Sequence, residues 1–284
     1  MIPIVLAGLA VLLAWVAPGL MARRTGFRRA PRAALVAWQA VSVAGILSAL
    51  AVAPAALPLL GGDEATARVE LLATAALLSG AVLARLLWTG HDVGTRLRRV
   101  RARERELVDI VGRRDADAGD GRFRVLENPM PTAYCIPGRG SRVVLSQGVL
   151  DALPRDQLDA VVAHEHAHLR GRHDLLLEFF SVVHEAVPGP LRSEAALSEV
   201  RLLVEALADR AAARRAGEVA TARALVALAE SRTPLSALGA GTTAPVRLRL
   251  LADGPAPPAL STTAYVYATL AVLLPVALLA LAWA

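Results

Sequence analysis

At 284 residues the chain is long enough for one or two domains. Its 55% hydrophobic content and mean hydropathy of +0.47 exclude an ordinary soluble domain. All 31 basic residues are arginine, and with 25 acidic residues the formal net charge is +6. Much of the arginine flanks apolar segments, which reads as membrane topology and anchoring to anionic lipid rather than a nucleic-acid surface. The single cysteine, Cys135, excludes an intrachain disulfide and is too little for a cysteine-based metal site, so its expected role is packing.

Met1 to Leu20 is apolar, uncharged and about the length that spans a bilayer. It lacks the basic start of a signal peptide, so a retained membrane helix is expected. The following loop carries Arg23, Arg24, Arg28, Arg29 and Arg32. By the positive-inside rule it is cytoplasmic, which puts the N-terminus outside. A second span is expected over Ala33 to Leu60, bent or ended by Pro54 and Pro58. Gly61-Gly62-Asp63-Glu64 has the letters of a diguanylate cyclase signature, but no cyclase-sized domain surrounds it, and a short acidic outer turn is expected. Val69 to Trp88 reads as the third span, with Arg85 snorkelling inward and Trp88 in the interfacial belt. The run Arg96, Arg98, Arg99, Arg101, Arg103 and Arg105, interleaved with Glu104 and Glu106, reads as a cytoplasmic juxtamembrane helix. It lacks the aromatics of a single-strand-binding surface, so no direct nucleic-acid partner is expected.

Asp115 to Gly121 is a polar turn, and Phe123 to Leu126, Ala133 to Ile136 and Arg142 to Leu145 are short β-type runs separated by Pro and Gly. The last of them is expected at a sheet edge, where Arg142 to Ser146 can pair with an extended substrate backbone. Pro154 to Arg170 follows as a helix, with Pro154 suited to its first position, Asp156 to its positive end and Gly171 to its stop. Leu158, Val161 and Val162 make its apolar stripe.

This helix carries His164-Glu165-His166-Ala167-His168. His164 and His168, four residues apart, project from one face, and imidazole nitrogens at that spacing can both bind a tetrahedral zinc ion. Glu165 follows His164 by about 100° of helical rotation. That places its carboxylate beside the metal, where it can take a proton from a metal-bound water attacking a carbonyl. This is the H-E-x-x-H pattern of zinc peptidases. His166 lies on another face and is not counted as a ligand.

Asp174 to Val187 is apolar but too short to span comfortably, so it is expected to pack on the domain or dip into the inner leaflet, with His184 a packing residue. Ser198 to Ala216 reads as a helix with Leu202, Leu203, Ala206 and Leu207 buried. It carries Glu205 and, one turn on, Asp209. Alone these read as solvated charges among Arg201, Arg210, Arg214 and Arg215. Beside the two-histidine helix, Glu205 reads as the third ligand, leaving a fourth position open, and Asp209 as a hydrogen-bond acceptor for the outer nitrogen of a ligating histidine. Arg201, His173 and Tyr134 are candidate oxyanion donors. Glu218 to Ser231 is a further amphipathic helix, Gly254 to Pro258 a linker, and Ala264 to Trp283 a fourth span that leaves the C-terminus outside.

The chain resembles the BlaR/MecR-type membrane metallopeptidases, through Asn128-Pro129 to Pro137-Gly138, Val143 to Ser146, Gly148-Val149-Leu150, Ala160 to His168 and Glu205 to Asp209. The layout of three spans, a cytoplasmic zinc domain and a fourth span resembles that family's as well. The expected architecture is a mainly α integral membrane protein: residues 1–94 a three-helix membrane region, 95–258 a cytoplasmic α+β zinc peptidase domain, and 259–284 a last membrane helix. The resemblance implies a gluzincin fold, one Zn²⁺ per chain held by His164, His168 and Glu205, and Glu165 as general base. It also implies cleavage of a cytoplasmic protein, typically a winged-helix repressor of the BlaI/MecI type. After Trp283 the sequence shows only Ala284, so the penicillin-binding sensor of the antibiotic receptors, and with it β-lactam sensing, is not expected. The expected partners are the bilayer and the protein substrate, with a homodimer a further option. An alternative reading is a membrane protease for quality control or processing, similar to HtpX or the CAAX prenyl proteases. A non-catalytic sensor is disfavoured, because a structural zinc site has no need of Glu165.

Overall fold

The computed structural model describes residues 1–60, 65–114, 123–230, 243–254 and 256–284. The turns expected at 61–64 and 115–121 lie outside the described residues. The helices are α1 (Ile2–Val11), α2 (Ala17–Arg23), α3 (Pro31–Ala56), α4 (Ala65–Val111), α5 (Gln147–Ala152), α6 (Arg155–Arg170), α7 (His173–Ala186), α8 (Glu194–Ala216), α9 (Glu218–Glu230), α10 (Ala244–Ala252) and α11 (Pro258–Trp283). The strands are β1 (Arg113–Arg114), β2 (Phe123–Leu126), β3 (Ala133–Ile136) and β4 (Arg142–Ser146). The described chain divides into two compact units, Met1–Val93 with Glu178–Arg201 and Ala256–Ala284, and Gly94–Leu177 with Leu202–Pro255.

In the first unit, four helical stretches are long and apolar enough to cross a membrane: Ile2–Arg23, Pro31–Ala56, Val69–Val111 and Pro258–Trp283. A π-helical turn, Leu12–Val16, joins α1 to α2 within the first of them. α1 and α11 both pack on α3. The reason is legible in α3, whose buried residues include Ala33, Ala37, Ala40, Ala44, Ala51 and Ala55. Small side chains let helix backbones approach closely where lipid removes the hydrophobic drive for helix association. Pro54 lies inside α3, and Ser79 of α4 bonds the turn just before it, accepting from Ala53 N at 3.3 Å and donating to Ala49 O at 2.9 Å. The outward faces of the other spans carry exposed Trp15, Leu77, Trp88 and Leu281, as a lipid-facing surface does.

One expectation is revised by α4. The third span and the basic juxtamembrane segment are one uninterrupted 47-residue helix, because nothing between Trp88 and Arg96 breaks it. Gly90 within it faces Val182 of α7, 3.8 Å from where a Cβ would stand. Within the stretch 95–258, Glu178–Arg201 groups with Met1–Val93 and Ala256–Ala284 in the first unit. Phe180 is buried in that unit, and Glu199 takes a two-point ion pair from Arg28 at 2.8 and 2.6 Å.

The second unit is built on a four-stranded sheet in the order β1-β2-β4-β3. β2 and β4 are parallel, while β1 and β3 run antiparallel to their neighbours. The edge strand beside the histidine helix is therefore β3, not β4 as the sequence suggested. Arg142 to Ser146 is buried at Val143, Val144 and Leu145 because it is paired on both sides. One sheet face packs Ala133, Val143 and Leu145 against Ala160 and Val161 of α6 and Ala224 of α9. The other packs Tyr134, Ile136 and Val144 on Val108 of α4. Asp109 of α4 ties that face down, accepting from Arg124 Nε at 2.9 Å and from Arg142 Nε and Nη2 at 2.9 and 3.0 Å.

Candidate metal centre

α6 begins one residue later than expected, with Pro154 as its N-cap and Asp156 in its first turn. Ala160, Val161, Ala163 and Ala167 are its buried face. That choice of face turns His164 and His168 together toward α8. Their Nε2 atoms lie 3.0 Å apart, and the Glu205 carboxylate straddles them, Oε2 3.5 Å from His164 Nε2 and Oε1 3.5 Å from His168 Nε2. These three residues form a group whose ligand atoms all lie within 4.8 Å of one another. A tetrahedral zinc ion with bonds of about 2.0–2.1 Å sets its donors roughly 3.3–3.4 Å apart. Separations of 3.0 and 3.5 Å bracket that edge, so the donor set fits zinc in both chemistry and spacing.

The outer nitrogens are also engaged. His164 Nδ1 lies 3.0 Å from Asp209 Oδ1, one turn beyond Glu205 on α8. His168 Nδ1 lies 3.0 Å from Nδ1 of His173, which is 4% exposed. Bonds of this kind fix the tautomer and ring plane of a ligating histidine. Gly171 makes room for the second one, since a Cβ there would stand 2.5 Å from His173 Nε2.

The residue the sequence reading missed is Arg247 of α10. Its Nε and Nη2 donate to the two Asp209 oxygens at 2.7 and 2.6 Å, and its Nη1 lies 3.0 Å from Glu205 Oε2. It is 8% exposed. The available signal was an arginine set among Leu248, Leu250 and Leu251, on a helix whose buried side includes Arg247. An arginine in such a place needs a buried carboxylate partner.

The charges follow from these contacts. Burial alone would lower the pKa of His164, but its hydrogen bonds to Asp209 and Glu205 outweigh that and hold it at about 10. His168 is pushed down to about 4 by burial, with His164, His173 and Arg247 adding to the shift. Two ring nitrogens 3.0 Å apart accommodate one proton between them, so the opposite shifts belong to the pair. Burial would raise Glu205 and Asp209, yet Glu205 is held well below the usual range by His164 and Arg247, and Asp209 is lowered by the same two groups. The pocket is thus built to keep its carboxylates ionised around a cation.

Glu165 is half-buried, and burial raises its pKa. Burial pushes the Cys135 thiol of β3 up, and the Glu165 carboxylate adds to that shift. His166 turns away and meets Phe123 edge-on, ring centroids 5.6 Å apart. Of the candidate oxyanion donors, His173 is engaged by His168 and Tyr134 packs on the far sheet face, while Arg201 belongs to the membrane unit. His184 bonds Glu194 at 3.0 Å.

Residues 96–262, more than half of the chain, match the family model described as Peptidase family M48. Over 77 residues the chain is 36% identical to a protein named protease HtpX homolog from Salinibacter ruber (strain DSM 13855 / M31). That stretch covers 25% of this chain and 28% of the relative. No solved structure matches.

Proposed function

The chain belongs to Peptidase family M48, and on that premise we propose that it is a membrane-embedded zinc endopeptidase with His164, His168 and Glu205 as metal ligands and Glu165 as general base. Membership indicates a metalloprotease, and the apolar helices together with the HtpX relative support a membrane protein. The observation that carries the assignment is the convergence of two imidazole nitrogens and one carboxylate on a single point, with a second carboxylate on the neighbouring residue of the same helix.

A zinc ion held there supplies Lewis-acid chemistry, polarising a peptide carbonyl and making water more acidic. The chain's own groups do the rest. Glu165, its pKa raised by burial, is suited to take a proton from the attacking water and pass it to the departing amine nitrogen. Asp209 and His173 hold the two imidazoles in one orientation, and Arg247 fixes both Glu205 and Asp209. The edge position of β3 supports pairing of an extended substrate backbone along Ala133–Ile136, which would bring a peptide bond alongside Glu165.

The arginines of residues 23–32 and 96–105 favour a multi-pass orientation with the site on the cytoplasmic side and both termini outside. The substrate is then a cytoplasmic protein. The resemblance to the BlaR/MecR type favours a winged-helix repressor. A second reading, consistent with the M48 match and the HtpX relative, is a membrane protease for quality control or processing, similar to HtpX or the CAAX prenyl proteases. Comparing the proteomes of cells carrying the parent chain and Glu165→Gln tests both. Fragments made by the parent alone are expected, from one DNA-binding protein under the first reading and from several unrelated proteins under the second. Identical fragments in both strains would reject the protease assignment.

A further inference from the structure

The membrane unit contains a cavity of about 430 Å³ that the peptidase reading does not use. Its wall is apolar, with Leu13, Val41, Ile46, Leu78, Val82 and Phe180 among the lining residues, and its size falls within the range of small-molecule sites. Two features set it apart from a packing gap. The π-helical turn Leu12–Val16 contributes Leu13 to the wall, and Leu13 Cβ lies 3.4 Å from where a Cβ on Gly45 would stand, so the chain widens one helix where it narrows the next. Such π turns occur frequently at functional sites.

The second feature is charge. Arg85 and Arg192 both line the cavity. Arg85 donates to the carbonyls of Glu185 and Ala186, and Arg192 to those of Glu185 and Val187. Each guanidinium has five N–H groups, so each retains donors beyond these bonds. Among the described residues neither has a carboxylate partner. The C-terminal end of α7 offsets only a fraction of the two positive charges. Two cations beside an apolar cavity in a membrane unit match one chemistry, an anionic head group on a hydrocarbon chain.

We propose that this cavity is a binding site for an anionic phospholipid, its acyl chain in the apolar hollow and its phosphate met by Arg85 and Arg192. The proposal rests on reading the long apolar helices as membrane spans.

Trp38 supplies a reporter, because it lines the cavity and is only 4% exposed, whereas Trp15, Trp88 and Trp283 are 54%, 74% and 62% exposed. The full chain, with Trp38 kept and the other three changed to Phe, is reconstituted in phosphatidylcholine bilayers. These contain a minor fraction of either dibrominated phosphatidylglycerol or dibrominated phosphatidylcholine. Bromine quenches only at short range, so Trp38 is expected to be quenched more strongly by the anionic lipid. The expected preference is about fivefold per arginine, the factor one basic residue contributes near an anionic surface. Arg192→Gln, which lies outside the helices, and Arg85→Gln should each reduce that preference. Ala14→Phe with Ala81→Phe should reduce quenching by both lipids. Equal quenching of Trp38 by the two lipids, or none, overturns the proposal when a chain retaining only Trp88 is quenched by both. If Trp88 is also unquenched, the membrane-span reading itself fails and the proposal falls with it.

Discussion

Asp209→Asn separates the proposed centre from a chance gathering of polar groups. Asn has the shape of Asp, so packing is unchanged and only charge is lost. Asp209 and Arg247 side chains are 4% and 9% exposed, and their two bonds measure 2.7 and 2.6 Å. Removing one partner of a buried ion pair costs about 3–5 kcal/mol, because the other charge is left buried. Here the lower end, about 3 kcal/mol, is expected, since Arg247 keeps its 3.0 Å contact with Glu205. The same change weakens the bond that orients His164, and losing an outer-shell partner typically costs roughly 10–100-fold in metal affinity. Zinc affinity, measured by competition with a chromophoric chelator on the detergent-solubilised chain, should fall by that factor, and the metal-free chain should unfold at a lower temperature. Unchanged zinc affinity together with an unchanged unfolding midpoint would refute the assignment of Asp209.

Glu165→Gln should keep its zinc while cleaving a protein substrate about 10²–10⁴-fold more slowly, so metal analysis and a cleavage assay on one preparation check it. Gly171→Ala should lower zinc affinity by up to about tenfold, because its Cβ would press on His173 and break the bond to His168; the chelator competition reads this directly. Asp109→Asn leaves Arg124, 3% exposed, without its carboxylate. A loss of roughly 1–3 kcal/mol in stability is expected, with zinc affinity unaffected, and thermal unfolding alongside zinc titration separates the two.

The histidine helix and the strands were legible because each rests on local pattern. The three β-type runs match β2, β3 and β4 nearly residue for residue, and Pro154 and Gly171 bracket α6. What was not legible is set by long-range pairing. Strand order depends on which neighbour β4 takes on each side, and nothing within Arg142 to Ser146 records that it has two. Arg247 stands 38 residues beyond Asp209, on a helix whose buried side says nothing of its partner. His173 looked like a free donor because its bond to His168 depends on the tight turn at Gly171. The grouping of Glu178–Arg201 with the membrane helices was equally hidden, for an apolar α7 serves a domain core or a membrane bundle alike.

The most direct test of the central claim is the zinc content of the full chain purified without chelator, the parent beside Glu205→Ala. The account predicts one zinc per parent chain and essentially none in the variant, because two imidazoles alone hold the ion too weakly to survive purification. A variant that keeps its zinc, or a well-folded parent that cannot be loaded with it, would contradict the account.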